Sequence, residues 1–319
     1  MAGPQAVVIG AGIGGLTSAA ALHRDGWEVT VLERAPSLEP VGAGIAMAPN
    51  AQRALDTLGV GDAIRAMAAF QGEGGLRTPS GRWLSRSSGE AAAERFGGPV
   101  VIAHRSAVIG LLASLLPDGC LHTSSPATLT DPGDGGRPAR VTTADGKELE
   151  ADLVIAADGI HSRTRQRLFP AHPRPAYAGF TSWRFNAPAP KEPFLPSETW
   201  GRGAIFGTVP LPDGRFYCYA TAAVPEGGRA EHGDERAELL RRFGGWHPPV
   251  PELISSVTTG EVLRHDVHTM AALLPAHHRG RTVLLGDAAH AMAPNLGQGA
   301  CQAIEDAIVL AHHLRTLPG

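Results

Sequence analysis

A chain of 319 residues with 43% hydrophobic content has room for one large domain or two ordinary ones, each with a real core. A net charge of −3 leaves no basic footprint, which argues against nucleic acid or an anionic membrane as partners. Three widely separated cysteines (Cys120, Cys218, Cys301) form neither a disulfide framework nor a metal-ligand spacing, and no apolar run reaches membrane length; a soluble, cytoplasmic protein is expected.

The first predicted element is a short buried strand, Ala6-Val7-Val8-Ile9. Gly10-Ala11-Gly12-Ile13-Gly14-Gly15 follows and contains G-x-G-x-x-G at Gly10, Gly12 and Gly15. A helix is predicted over residues 16–24, stopping at Asp25-Gly26, and a second strand over residues 27–32, ending at Glu33-Arg34. Glu33 lies 18 residues after Gly15, about where a ribose-binding acid belongs. Gly10 permits the tight turn, Gly12 lets a pyrophosphate reach the backbone, and Gly15 lets helix and strand pack closely. The unit binds a dinucleotide, FAD or NAD; the motif does not separate the two.

Further along, His104-Arg105 precedes an apolar helical pattern at Val108, Ile109, Leu111, Leu112, Leu115 and Leu116. Arg105 is read as holding a phosphate or structuring the sheet. Residues 149–157 form one predicted strand running into Asp158-Gly159, a carboxylate at a strand end beside a glycine. Residues 180–186 and 215–224 read as strands, with Pro212-Asp213-Gly214 as a turn, and residues 234–243 as a helix covering them. Residues 81–84 read as a short hairpin insert.

The longest pattern lies near the end: Gly286-Asp287-Ala288-Ala289-His290-Ala291-Met292-Ala293-Pro294-Asn295-Leu296-Gly297-Gln298-Gly299-Ala300. It follows a predicted strand at 282–285 and precedes a predicted helix at 301–314. A strand-end carboxylate accepts a hydrogen bond from a sugar hydroxyl. A Pro-then-Gly loop opening a helix presents bare N–H groups and a positive dipole end. Together they make a seat for a large polar cofactor.

In this order, the glycine fingerprint with Glu33-Arg34, the His104-Arg105 element, Asp158-Gly159 and Gly286-Asp287 resemble the class A, single-component FAD-dependent monooxygenases (aromatic hydroxylases). Gly42-Ala43-Gly44-Ile45, followed by Ala48-Pro49-Asn50, also matches, and the resemblance covers essentially the whole chain. It implies an α/β fold: a Rossmann-like FAD-binding domain with an inserted, mostly antiparallel β-sheet substrate domain. The flavin domain is expected over 1–70, 98–170 and 265–319, and the substrate side over 71–97 and 171–264. Gly10, Gly12, Gly14 and Gly15 would approach the FAD pyrophosphate, and Glu33 and Arg34 the adenosine end. Gly44 and Ile45 would pass near the flavin, Arg105 would reach the cofactor, and Ala127 would lie by the adenine. Asp158 is associated in the family with FAD and pyridine nucleotide contacts. Asp287 would hold the ribityl and pyrophosphate region, with Pro294, Gly297, Gln298, Gly299 and Ala300 directing backbone toward the flavin.

The implied activity is oxygenation of a small, aromatic substrate by O2 through a flavin C4a-hydroperoxide, with NADH or NADPH as a transient donor. The chemistry is carried by the cofactor, so no catalytic side chain and no metal is assigned. Strand alternation puts Tyr217, Tyr219 and Thr221 on one face, which makes Tyr217, Tyr219 and the nearby Arg184 candidates for substrate contact. His277-His278 and His312-His313 are adjacent pairs pointing apart, read as surface residues. A related epoxidase or prenyl-type reductase shares the motif set. A plain NAD-dependent dehydrogenase would leave residues 286–300 unexplained. Family members usually continue for tens of residues past the final helix, over part of the substrate cavity. The short C-terminus is the sole support for a third reading, a non-catalytic FAD-binding module.

Overall fold

The computed structural model describes residues 3–38, 44–67 and 72–316. Two large sheets dominate it. The first has six strands in the order His278–Arg279, Thr282–Leu284, Leu153–Ala156, Gln5–Ile9, Glu28–Leu32, Leu121–His122. All pairs are parallel except the outermost, His278–Arg279 against Thr282–Leu284. The central strands read as unbroken apolar runs because both faces of the sheet are covered: Val8 and Ile155 are fully buried against helices, and Val154 against Leu129, Ala139 and Val141 of a smaller sheet.

Helix Ile13–Arg24 follows the first strand directly, with Gly12 as its N-cap. A Cβ on Gly15 would sit 2.0 Å from the Gly10 carbonyl oxygen, so only glycine lets this helix start so close to the strand. Helix Gly299–Thr316 packs alongside, and Leu16, Ile304 and Ala307 share one core with Leu55, Ile64, Val108 and Leu112 from neighbouring helices.

The predicted strand over 149–157 is two strands. Glu148–Ala151 joins a three-stranded antiparallel sheet with Ala139–Thr143 and Ala127–Asp131, while Leu153–Ala156 joins the parallel sheet. The break falls at Asp152, whose side chain accepts from the Gln5 N–H while its own N–H donates to the Gln5 carbonyl. An apolar run shows no sheet change, so periodicity alone merged them.

The second large sheet has seven strands in the order Leu263–Thr269, Ala176–Ala187, Phe216–Ala222, Ala204–Pro210, Ser197–Gly201, Glu73–Arg77, Trp83–Ser88. It is antiparallel except between Ser197–Gly201 and Glu73–Arg77. The expected hairpin at 81–84 is thus the turn and start of this sheet's edge, and its last-numbered strand runs through Thr269. One face carries Trp183, Phe185, Phe206, Cys218 and Ala220, packed under helices Glu235–Phe243 and Val250–Ser255 through Leu239, Phe243, Leu253 and Ile254. Alternation sends Arg184, Asn186, Tyr217 and Tyr219 to the other face.

Candidate flavin and substrate site

The cofactor side is built largely from main chain. Gly10 takes φ +104°, the turn that releases the chain from the first strand. A Cβ on Gly12 would meet nothing within 4 Å, so the mouth of the turn is open. The helix behind it has no acidic residue in its first turn and no side-chain cap, leaving its N–H groups for an outside acceptor. A Cβ on Gly14 would lie 2.6 Å from Leu285 Cδ2, so this glycine lets the first helix meet the strand that leads to Asp287.

Glu33 closes the turn from the second strand. One carboxylate oxygen accepts from the Ala11 N–H at 2.7 Å and the other from the Ala35 N–H at 2.8 Å. The Ser125 N–H donates to the Glu33 carbonyl at 2.8 Å, which brings the chain just before Ala127 to the same corner. Arg34 is exposed there. Asp158 Oδ2 accepts from the Thr164 N–H and hydroxyl, whereas its Oδ1 is buried without a partner among the described residues. Such an acceptor needs a donor from outside the protein, from a ligand or an ordered water.

Asp287 is exposed at the start of helix Asp287–His290, and a Cβ on Gly299 would lie 3.9 Å from its Oδ1. The preceding Gly286 has φ 58° and ψ −135°. Its N–H donates to Asp306 Oδ2 at 3.0 Å, and the same oxygen lies 2.5 Å from His290 Nε2. Pro294 opens a short 3-10 turn ending at Gly297 in the left-handed region; Gln298 precedes the final helix and accepts the Gln302 N–H at its carbonyl, and Gly299 and Ala300 begin that helix. The first turn of that helix carries no acidic residue. Asn50 donates to Gln298 Oε1 and to Glu305 Oε2, and Cys301 Sγ lies 3.4 Å from the Ala48 nitrogen. These contacts fix the Gly44–Met47 strand against the final helix; Gly44 and Ile45 are on that strand, and Gly42 and Ala43 lie outside the described residues.

Three of the residues that hold this frame carry no local sequence signal. Arg165 is 1% exposed, with Nη1 donating to the Ala288 carbonyl at 2.9 Å and Nη2 to the Ile160 carbonyl at 2.6 Å. It ties the Asp158-Gly159 turn to the Asp287 turn. Glu305 and Asp306 do the same for residues 50 and 286.

The two sides meet at Arg105. Burial lowers its pKa from the ordinary arginine value, against the opposing attraction of Asp287; Arg184 and Tyr217 are also close enough to shift it. Tyr217 packs across the Gly44 backbone, where a Cβ would be 2.7 Å from its Cγ. Burial raises the Tyr217 phenol, opposed by the charge of Arg184 and by a hydrogen bond from it. Arg184 Nη2 donates to His265 Nδ1 at 3.0 Å, and its Nε, like Asn186 Oδ1, is buried without a partner among the described residues. Tyr219 leans over Gly207 and donates to Glu198 Oε2 at 2.5 Å, which turns its hydroxyl away from Tyr217. The sequence-derived candidates Arg105, Asp287, Arg184 and Tyr217 therefore converge, while Tyr219 is committed to a carboxylate. His265 and Asn186 were not among them. The one legible sign was register, since Asn186 alternates with Arg184 on the same face.

The residues fit FAD. An open glycine turn before an uncapped helix N-terminus, a second helix start with no acidic residue, a buried Asp158 oxygen without a partner among the described residues and an exposed Asp287 are the polar groups such a cofactor needs. Among the described residues no group of His, Cys, Asp or Glu could hold a metal ion, and no helix is long and apolar enough to cross a membrane.

Comparison with known proteins agrees. The family described as FAD binding domain matches residues 4–317. The chain is 41% identical over 314 residues to an aurachin C monooxygenase/isomerase of Stigmatella aurantiaca, covering 98% of this chain and 81% of that protein. It is 34% identical over 315 residues to an FAD-dependent urate hydroxylase of Klebsiella pneumoniae, covering 96% and 80%. The crystal structure of Klebsiella pneumoniae HpxO with FAD and uric acid superposes with a TM-score of 0.89 at 30% identity, over 99% of this chain and 80% of that one. The chain thus belongs to the class A FAD-dependent monooxygenases, the aromatic hydroxylase family, and is an FAD-binding enzyme of that kind.

Proposed function

We propose that this enzyme hydroxylates a small aromatic molecule with O2, drawing electrons from NADH or NADPH, and that its substrate lies between the flavin cradle and the polar face of the seven-stranded sheet. One observation carries the reading: Tyr217 of the sheet packs across the Gly44 backbone of the cofactor side, and Arg105 feels the charges of Asp287 on one side and of Arg184 and Tyr217 on the other. Residues 10–15, Glu33, Arg34, Ala127 and Asp158 would hold the dinucleotide half of FAD. Gly44, Ile45, Arg105, Asp287, Pro294 and residues 297–300 would surround its flavin half. In this reading the flavin-binding part comprises 1–70, 98–170 and 265–319, and the substrate side 71–97 and 171–264. The free, buried cysteines Cys120, Cys218 and Cys301 are in keeping with a reducing, cytoplasmic setting.

Bound FAD supplies the electron transfer and oxygen activation. The protein supplies position, charge and dryness. The N-terminus of the Gly299–Thr316 helix directs its positive end at the cradle, which favours negative charge on a bound ring. Arg105, already desolvated, adds a fixed cation on the same side. Tyr217 has the Arg184 charge beside it and offers its hydroxyl proton to a substrate oxygen. Tyr219, bonded to Glu198, is a wall with no donor to spare. These features suit a hydroxylated or oxo-bearing aromatic, as the names of the relatives suggest (urate, 6-hydroxynicotinate, 3-amino-4-hydroxybenzoate).

The test is a panel of these aromatics and aurachin C, added to FAD-loaded, desalted protein with NADH or NADPH. The expected result is nucleotide oxidation stimulated by one class of aromatic. Flavin retention with no stimulation by any aromatic would refute the hydroxylase reading and leave a flavin-binding module.

A further inference from the structure

The Arg184 side chain is not held by a carboxylate. Its Nη2 donates to His265 Nδ1 at 3.0 Å across paired strands Ala176–Ala187 and Leu263–Thr269. His265 belongs to the edge strand, and Ser182 is its register partner, so its ring leans diagonally toward Arg184. On its other side lies Tyr217, whose register partner is Asn186, so that its ring stands diagonally beside Arg184 on the same face of the sheet. Three side chains from three strands thus form a line: imidazole, guanidinium, phenol.

The chemistry of the line has one polarity. A guanidinium has only donors, so both neighbours must accept. His265 accepts through the lone pair of Nδ1, which exists only in the neutral ring, and Tyr217 can meet the guanidinium only with its oxygen. A proton on Nδ1 removes that acceptor and sets a second positive charge against Arg184. Resting on the substrate placement proposed above, we propose that His265 is a positioning residue: its Nδ1 lone pair holds Arg184 against Tyr217, so that the Tyr217 proton is aimed at the substrate only while the imidazole is uncharged.

The surroundings of His265 favour the uncharged ring. His265 is the exposed residue of its strand, yet the desolvation of its ring against the sheet and then the Arg184 charge push its pKa below the ordinary histidine value, and Asp266 on its own strand opposes them. Asp266 is itself engaged by Thr181, the Gly227 N–H and Arg264. From the facing strands, the charged or titratable groups at the line are Arg184 and Tyr217, with Arg105 beyond them. Because the folded value is depressed, the line is intact at neutral pH and is lost as pH falls through that value.

The test needs no substrate. FAD-loaded protein carrying 15N-histidine and 13Cζ-tyrosine is titrated by NMR, with His265 and Tyr217 assigned from H265Q and Y217F. The expected result is an unprotonated, hydrogen-bonded His265 Nδ1 at neutral pH and a midpoint below the ordinary 6.5 that moves up in R184Q. The Tyr217 13Cζ signal should step at the same midpoint. In H265Q, whose amide oxygen still accepts, it should hold its neutral-pH position throughout; in H265A it should hold the acid position. A Tyr217 signal with no step at the His265 midpoint, or an Nδ1 that carries the proton at neutral pH, overturns the proposal. With any panel aromatic that turns over, KM should rise about tenfold on the acid side of the midpoint, as for loss of a charge-assisted contact, with kcat little changed. A coupled step without aromatic turnover would uphold the line and reject the hydroxylase reading; turnover without the step would do the reverse.

Discussion

The proposed cofactor side and the proposed substrate side of this enzyme differ in what they offer a ligand. Around residues 10–15 and 297–300 the groups on offer are N–H groups at helix starts, and side chains serve mainly to fix the path of the chain. On the seven-stranded sheet the groups on offer are side chains, and the backbone is consumed in the ladder. Main-chain recognition demands glycine where a Cβ would collide, so it tolerates little change. Side-chain recognition can be altered one residue at a time without moving the sheet. That contrast predicts which substitutions abolish folding or flavin, and which only retune the reaction.

The largest effect should come from Gly15→Val. Its Cβ would meet the Gly10 oxygen at 2.0 Å, so the helix must leave the strand, and the purified protein should carry no flavin. Retained flavin absorbance would mean that the close approach is not needed. Arg165→Met comes next. It removes a buried guanidinium from the Ala288 and Ile160 carbonyls, and denaturant melts should show about 2–4 kcal/mol lost. A change below about 0.5 kcal/mol would mean that the two turns are held by something else.

Asp287→Asn should leave the circular dichroism spectrum unchanged and raise the FAD dissociation constant by at least about tenfold, the scale of a charged hydrogen bond. Unchanged affinity in equilibrium dialysis would remove Asp287 from the cofactor site. Tyr217→Phe is the reciprocal test on the sheet side: KM for the aromatic rises about three- to tenfold, or nucleotide oxidation uncouples from product, while FAD affinity stays the same. A parallel loss of FAD affinity would blur the division between the two sides.

The smallest effect concerns the His290–Asp306 contact beneath the Asp287 turn. Asp306 raises the His290 pKa above the ordinary 6.5. The extra stability is therefore complete below the unfolded value and fades as pH rises through the folded one. The Tm difference between wild type and Asp306→Asn should narrow from about pH 6 to about pH 9. A difference that widens with pH would reverse the sign of this coupling.

The same contrast explains what could be read from the sequence. The glycine turn, Glu33 and the residues around Asp287 are legible because main-chain recognition needs glycine, proline and acid at fixed short spacings. The strand and helix around 5–32 follow from one apolar run, one glycine cluster and one helix stop. Arg165 and His265 were silent because their partners Ala288 and Arg184 lie 123 and 81 positions away, and nothing local marks them. Tyr217 and Arg184 were visible only through alternation, which gives a face but not a neighbour. Tyr219 shared that face, yet its partner Glu198 is on another strand and fixes its hydroxyl. The split at Asp152 was hidden for a related reason: a buried strand looks the same in either sheet.

The most direct test of the account is the source of the oxygen in the product. FAD-loaded enzyme, NADH or NADPH and the aromatic that stimulates oxidation are incubated under 18O2, and the product mass is measured. The account predicts one 18O atom per product molecule, with unlabelled product under 16O2 in 18O-water. A product without the label, or nucleotide consumed with the aromatic unchanged, would contradict it.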